Sequence, residues 1–183
     1  YDNQARTHAV GAGAVVVSVD YRLAPEHPYP AAVEDAWAAT QWVAAHAGEF
    51  GADPGRLAVT GDSAGGNLAA VVSQLARDAG GPPILFQLLW YPSTTFDTSL
   101  PSFTENANAP ILDVAGCKAH TRWYIGDMDL TDIPATLAPA RAKDSGLMPR
   151  SLRLACSSVA PPFSTVRPTG ASGPATVTAP HTS

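Results

Sequence analysis

A chain of 183 residues, 45% apolar and 15% charged with mean hydropathy near zero, has room and apolar material for one domain with a sizeable core, which excludes wholesale disorder. A net charge of -5, sixteen acids against eleven bases, and the lack of any Lys/Arg run exclude the clustered positive face of a nucleic-acid binder; Lys118 and Lys143 are the only lysines. Two cysteines, Cys117 and Cys156, exclude a disulfide scaffold and a cysteine-based zinc site, and no stretch approaches the ~20 apolar residues of a membrane span.

The chain opens on a polar stretch, residues 1–7, without an initiator Met or a signal peptide. The expectations are that something upstream is missing and that the protein is cytoplasmic. Residues 14–20 (AVVVSVD) form a Val-rich run that suits a strand buried on both faces. Residues 21–30 (YRLAPEHPYP) carry three prolines and must be loop, with Tyr21 and Arg22 expected to pin it to the helix before it. Pro30 opens a helix whose buried face repeats at Val33, Ala36, Trp37, Thr40, Val43 and Ala44, with Glu34 and Asp35 near its positive end. Gly48, Gly51 and Pro54 end it.

A short strand at 57–60 follows, then a helix over 64–79 with Leu68, Val71, Val72 and Leu75 on one side and Gly80-Gly81 as its stop. Residues 84–90 (ILFQLLW) read as another buried strand closed by Pro92, and residues 114–125 as a helix. Strands alternating with helices at this spacing predict a mostly parallel sheet covered on both faces. All sixteen acids lie at or before Asp144, and residues 151–183 are rich in Ser, Thr, Pro, Ala and Gly. That composition predicts a core over 1–155, with 151–156 as its last strand, and a disordered tail over 156–183.

Between the 57–60 strand and the 64–79 helix lies Gly61-Asp62-Ser63-Ala64-Gly65-Gly66, which fits Gly-x-Ser-x-Gly in a strand–turn–helix setting. The chemistry needs a serine held in a strained turn, its hydroxyl clear of the sheet edge. Gly61 and Gly65 are expected to avoid collisions with neighbouring strand and helix. The following helix points free N–H groups, that of Ala64 first, at the place where an oxyanion forms. The bland alternative is a glycine-rich turn with an incidental serine. A phosphate-cradling loop needs Lys where Asn67 stands, and a dinucleotide fingerprint fails on the glycine spacing.

Taken together, Tyr21-Arg22-Leu23-Ala24-Pro25-Glu26-His27-Pro28 with Pro30-Ala31-Ala32, and Gly61-Asp62-Ser63-Ala64-Gly65-Gly66-Asn67-Leu68-Ala69, resemble the hormone-sensitive-lipase-type (fold-3) branch of the α/β hydrolases. The resemblance covers roughly residues 1–150. It implies an α/β-hydrolase fold and a serine esterase or lipase acting on short acyl esters, a small-molecule substrate, without metal or organic cofactor. It makes Ser63 the nucleophile, activated by a His base that an acid orients, and Ala64 an oxyanion donor.

Three parts of the family pattern depart. The His-Gly-Gly-Gly oxyanion loop expected upstream of Tyr1 is not in this chain. No acid follows residue 150, and Asp127, Asp129, Asp132 and Asp144 all precede the family position. His181 is the single His downstream of His120, in a Pro-His-Thr context; it is the candidate base, with an ordinary tail histidine as the favoured alternative. The chain can therefore also be read as a catalytically incomplete fragment. Two strands that would share the missing neighbour are expected to close together or stay exposed as edges. The joint loss of acids, periodicity and family match after about Met148 is what a reading-frame change produces, with a genuine divergent tail as the alternative.

Asp127-Met128-Asp129 with Asp132 reads as a solvated turn rather than a calcium loop, because the EF-hand glycine and glutamate are missing. Trp37, Trp42, Trp90 and Trp123 are expected in the core, and Asn67 as a hydrogen bonder near the helix cap.

Overall fold

The computed structural model describes residues 2–142 and 176–178. Five helices and four strands run in the order α1 (Asp2–Ala12), β1 (Val16–Ser18), α2 (Ala31–His46), β2 (Leu57–Asp62), α3 (Ala64–Asp78), β3 (Ile84–Trp90), α4 (Pro101–Glu105), α5 (Val114–Ile125) and β4 (Thr176–Thr178). Both ladders among the described residues are parallel: β2 pairs with β3, and β1 with β4. Among the described residues β1 and β2 do not pair, so of the two expected outcomes for these strands the chain takes the unjoined one.

Local chemistry sets most boundaries as the pattern predicts. The helix opened by Pro30 runs on as a 3-10 turn, Ala47–Phe50, and stops at Gly51, whose φ of 70° suits a residue without Cβ. Asp113 caps α5 by accepting the Gly116 N–H at 2.7 Å, and Gly126 at φ 62° ends it. The unanticipated element is α1. Its sequence, DNQARTHAVGA, buries only Ala5 and Ala9 and so carries almost no apolar periodicity.

The core lies between α2 and α3. Ala32, Val33 and Ala36 meet Leu68, Val71 and Val72, with Val59, Ile84, Trp37 and Tyr124 packed around them. A second cluster of Ile125, Ile133, Leu137 and Ala138 joins the first through Tyr29 and Tyr124, whose rings meet edge to face at 6.1 Å. The Pro-rich loop is held at both ends. Arg22 grips Asp35 through Nε and Nη2, at 2.9 and 2.8 Å, and through its own backbone N–H. It thus pins the loop to the helix after it, not the one before, because the matching carboxylate lies on α2. Tyr29 donates its N–H to the Tyr124 carbonyl and shares a hydroxyl hydrogen bond with Thr136.

Two expectations need correction. The strands are not buried on both faces. An extra residue in β3 at Leu85 breaks the register, so Val59 and Gly61 share a face with Gln87 and Leu89, toward α3. Phe86 and Trp90 fall on the other face with Ala58, and both are more than 40% exposed. Trp42 and Trp123 are also exposed rather than in the core, each packing its ring against a histidine on its own helix, His46 and His120. Separately, Thr176–Thr178 pairs in register with Val16–Ser18. The strand expected over 151–156 lies outside the described residues.

Candidate active site

β2 and β3 end side by side, with Asp62 opposite Trp90. The chain leaves β2 at Ser63, whose φ of 52° and ψ of -114° reverse it directly into α3. A left-handed conformation in a residue with a Cβ costs of order 1–3 kcal/mol and is held only by its surroundings. The Ser63 N–H donates to the Trp90 carbonyl at 2.9 Å, and the Ser63 carbonyl accepts from Asn67 N at 3.0 Å and Ser93 N at 3.2 Å. The side chain makes no capping bond back to the helix, and Ser63 is exposed.

Two glycines make the turn sterically possible, and they are not quite the expected pair. A Cβ at Gly61 would overlap the Gly65 carbonyl and sit 2.8 Å from Gly66 N. A Cβ at Gly66 would meet the Gly61 carbonyl and Pro92 at 3.0 Å. At Gly65 a Cβ would meet nothing within 4 Å. Gly65 is therefore corrected from a crowded position to an open one; the crowding falls on Gly61 and Gly66, because the close crossing is between the end of β2 and the second helical residue's backbone.

The first intrahelical bond of α3 is Asn67 N to Ser63 O. The amides of Ala64, Gly65 and Gly66 thus precede the helix ladder and lie at its positive end, suited to a developing oxyanion next to Ser63. The expected acids do not gather here. Asp127, Asp129 and Asp132 are exposed beyond α5; Asp129 accepts the Thr131 N–H at 2.9 Å in a local turn, which holds its carboxyl below the usual range. Among the described residues no cluster of His, Cys, Asp or Glu is arranged for a metal ion. Asp144 and His181 lie outside the described residues.

Sequence reasoning missed two features. Tyr91, directly after β3, is the second non-glycine residue with positive φ among the described residues, at 37°, and it stands beside the Ser63 turn. Asn67 is buried and bonded to two separate loops, which a cap-region reading does not convey. The signal for the first was Tyr-Pro at a strand end; for the second, a polar side chain on an otherwise apolar helix face.

Comparison with known proteins agrees with this geometry. Residues 1–157 match the family described as alpha/beta hydrolase fold. The esterase LipI of Mycobacterium tuberculosis is 66% identical over 149 residues, covering 81% of this chain and 47% of that protein. The carboxylesterase NlhH of the same organism is 62% identical over 152 residues, covering 81% and 48%. An esterase from Pyrobaculum calidifontis superposes with a TM-score of 0.72 at 42% identity, covering 78% of this chain and 47% of that one. The chain spans about half the length of the curated relatives it matches. Its strand–serine–helix turn, its parallel ladders and these likenesses agree: the chain belongs to the alpha/beta hydrolase fold family, in its hormone-sensitive-lipase-type branch.

Proposed function

We propose that this chain carries the nucleophile of a carboxylic ester hydrolase, and that short acyl esters are its substrates. The observation that carries the reading is the left-handed Ser63 between β2 and α3, exposed and framed by the amides of α3. The Ser63 hydroxyl attacks the ester carbonyl carbon as its proton passes to a general base. The carbonyl oxygen becomes an oxyanion beside Ala64 N–H, at the positive helix end. The intermediate collapses with loss of the alcohol, which takes the proton, and water then releases the acid from the acyl-serine by the same steps. Each backbone donor to the oxyanion is worth roughly 3 kcal/mol of barrier. Chain order Ser…His offers His181 as a candidate base, against the favoured reading of an ordinary tail histidine outside the core. Residues 1–155 are proposed as part of the catalytic core, with 156–183 outside it.

Hydrolysis of p-nitrophenyl acetate and butyrate tests the reading. Release of p-nitrophenol that depends on Ser63 is expected, with Ser63→Ala reducing it to the level of buffer. Release that Ser63→Ala leaves unchanged would refute it.

A further inference from the structure

We infer that Asn67 is a positioning residue for the nucleophile: its backbone and side chain close a ring of hydrogen bonds around the Ser63 carbonyl that holds the turn left-handed. The inference rests on Ser63 being the nucleophile. The Ser63 carbonyl accepts two N–H groups, one from Asn67 at 3.0 Å and one from Ser93 at 3.2 Å. Asn67 Nδ2 then donates to the Ser93 carbonyl at 2.6 Å, which closes the ring Ser63–Asn67–Ser93. The same Nδ2 donates to the Leu137 carbonyl at 2.9 Å, fastening the ring to a residue that is wholly buried.

The chemistry of the side chain fits this task closely. A carboxamide has two N–H donors, and here they meet two carbonyl acceptors from two different segments. Asn67 is 6% exposed, so an unmatched donor there would be costly to bury. Ser63 and Tyr91, the two non-glycine residues with positive φ among the described residues, stand at the ends of paired strands, joined by Ser63 N–H to the Trp90 carbonyl. Strained turns persist where neighbouring structure over-determines them. The ring does this from the α3 side and the β3 side at once. Gly66 allows it, since a Cβ at that position would lie only 3.0 Å from Pro92, the residue before Ser93.

The test measures phosphonylation of Ser63 by a fluorophosphonate in the full chain, together with amide hydrogen exchange. Asn67→Ala and Asn67→Asp are expected to lower the maximal inactivation rate at least tenfold with the half-saturating probe concentration unchanged. Exchange of the Ser93 amide is expected to rise at least tenfold while the β2–β3 amides keep their rates. A merely structural role would raise exchange uniformly and leave the rate of the folded fraction intact; either of those results overturns the inference. Asn106→Ala, which removes an exposed amide bond to the Ser102 carbonyl, serves as the control and changes neither readout. A measurement on the unaltered chain covers variants that do not fold. Through-hydrogen-bond couplings from Asn67 Nδ2 to the carbonyl carbons of Ser93 and Leu137 are expected, and an Asn67 amide exchanging as fast as that of Asn106 overturns the inference. An unaltered chain that takes no label overturns the nucleophile and this inference with it; a labelled chain whose variants react normally overturns the inference alone.

Discussion

Gly61 and Gly65 look equivalent in the motif, but the structure separates them. A methyl group added at 61 would penetrate the Gly65 carbonyl and lie 2.8 Å from Gly66 N. Ordinary carbon contacts begin near 3.4 Å, so the α3 backbone must retreat by at least ~0.6 Å at its nearest amide, and further at the carbonyl. Backbone has no rotamer to escape into. Overpacking of this kind costs roughly 1–3 kcal/mol, and a displacement near 1 Å at the reacting group costs about 10²-fold in rate. At Gly65 the added methyl meets nothing, within a helix where exchanging Gly for Ala gains about 0.5–1 kcal/mol. The expected outcome is a fall in urea midpoint and in Ser63 phosphonylation for Gly61→Ala, against an equal or higher midpoint for Gly65→Ala. Equal midpoints for the two variants would refute the close crossing of β2 and α3.

Leu137, with no exposed surface, anchors the second cluster, so Leu137→Ala should cost about 2–5 kcal/mol in chemical denaturation, whereas Ile111→Ala, at a position 98% exposed, should stay within about 0.5 kcal/mol. The Arg22 guanidinium holds the Asp35 carboxyl below its ordinary range. A depressed folded-state value means that this stabilisation is complete above the unfolded carboxylate range, near pH ~4, and is lost as pH falls through the lower folded value. The urea midpoint of Asp35→Asn should therefore converge on that of the parent chain in strong acid; a constant gap across pH contradicts the ion pair. Burial, then the neighbouring Tyr29 and Tyr21, push the Tyr124 phenol up to about 12. Its contribution is full below pH ~10 and lost as pH rises toward 12, so thermal melting at pH 9 and 11 should show a larger loss for the parent than for Tyr124→Phe.

The legible parts of the fold are those in which one local rule suffices. The apolar stripe of α3, the glycine stop at Gly51 and the glycines around Ser63 each state their conformation in a few neighbouring residues. The strained turn at Ser63 was legible for the same reason. What was not legible depends on partners distant in sequence. The exposure of Phe86 and Trp90 follows from a register break at Leu85 and from which face α3 covers. The bonds of Asn67 reach 26 and 70 residues along the chain, and no local pattern encodes them. The pairing of β4 with β1 joins residues 160 apart, and three β-branched or small residues in a Pro-rich stretch give too short a period to read. The open space at Gly65 was hidden because a motif gives glycine positions without saying which backbone crosses above them.

The most direct measurement is mass-spectrometric localisation of a fluorophosphonate adduct on the chain. One adduct per molecule is expected, on the peptide containing Ser63, and absent from Ser63→Ala. A chain left unmodified, or modified with equal yield at other serines, would contradict the assignment of Ser63 as the nucleophile.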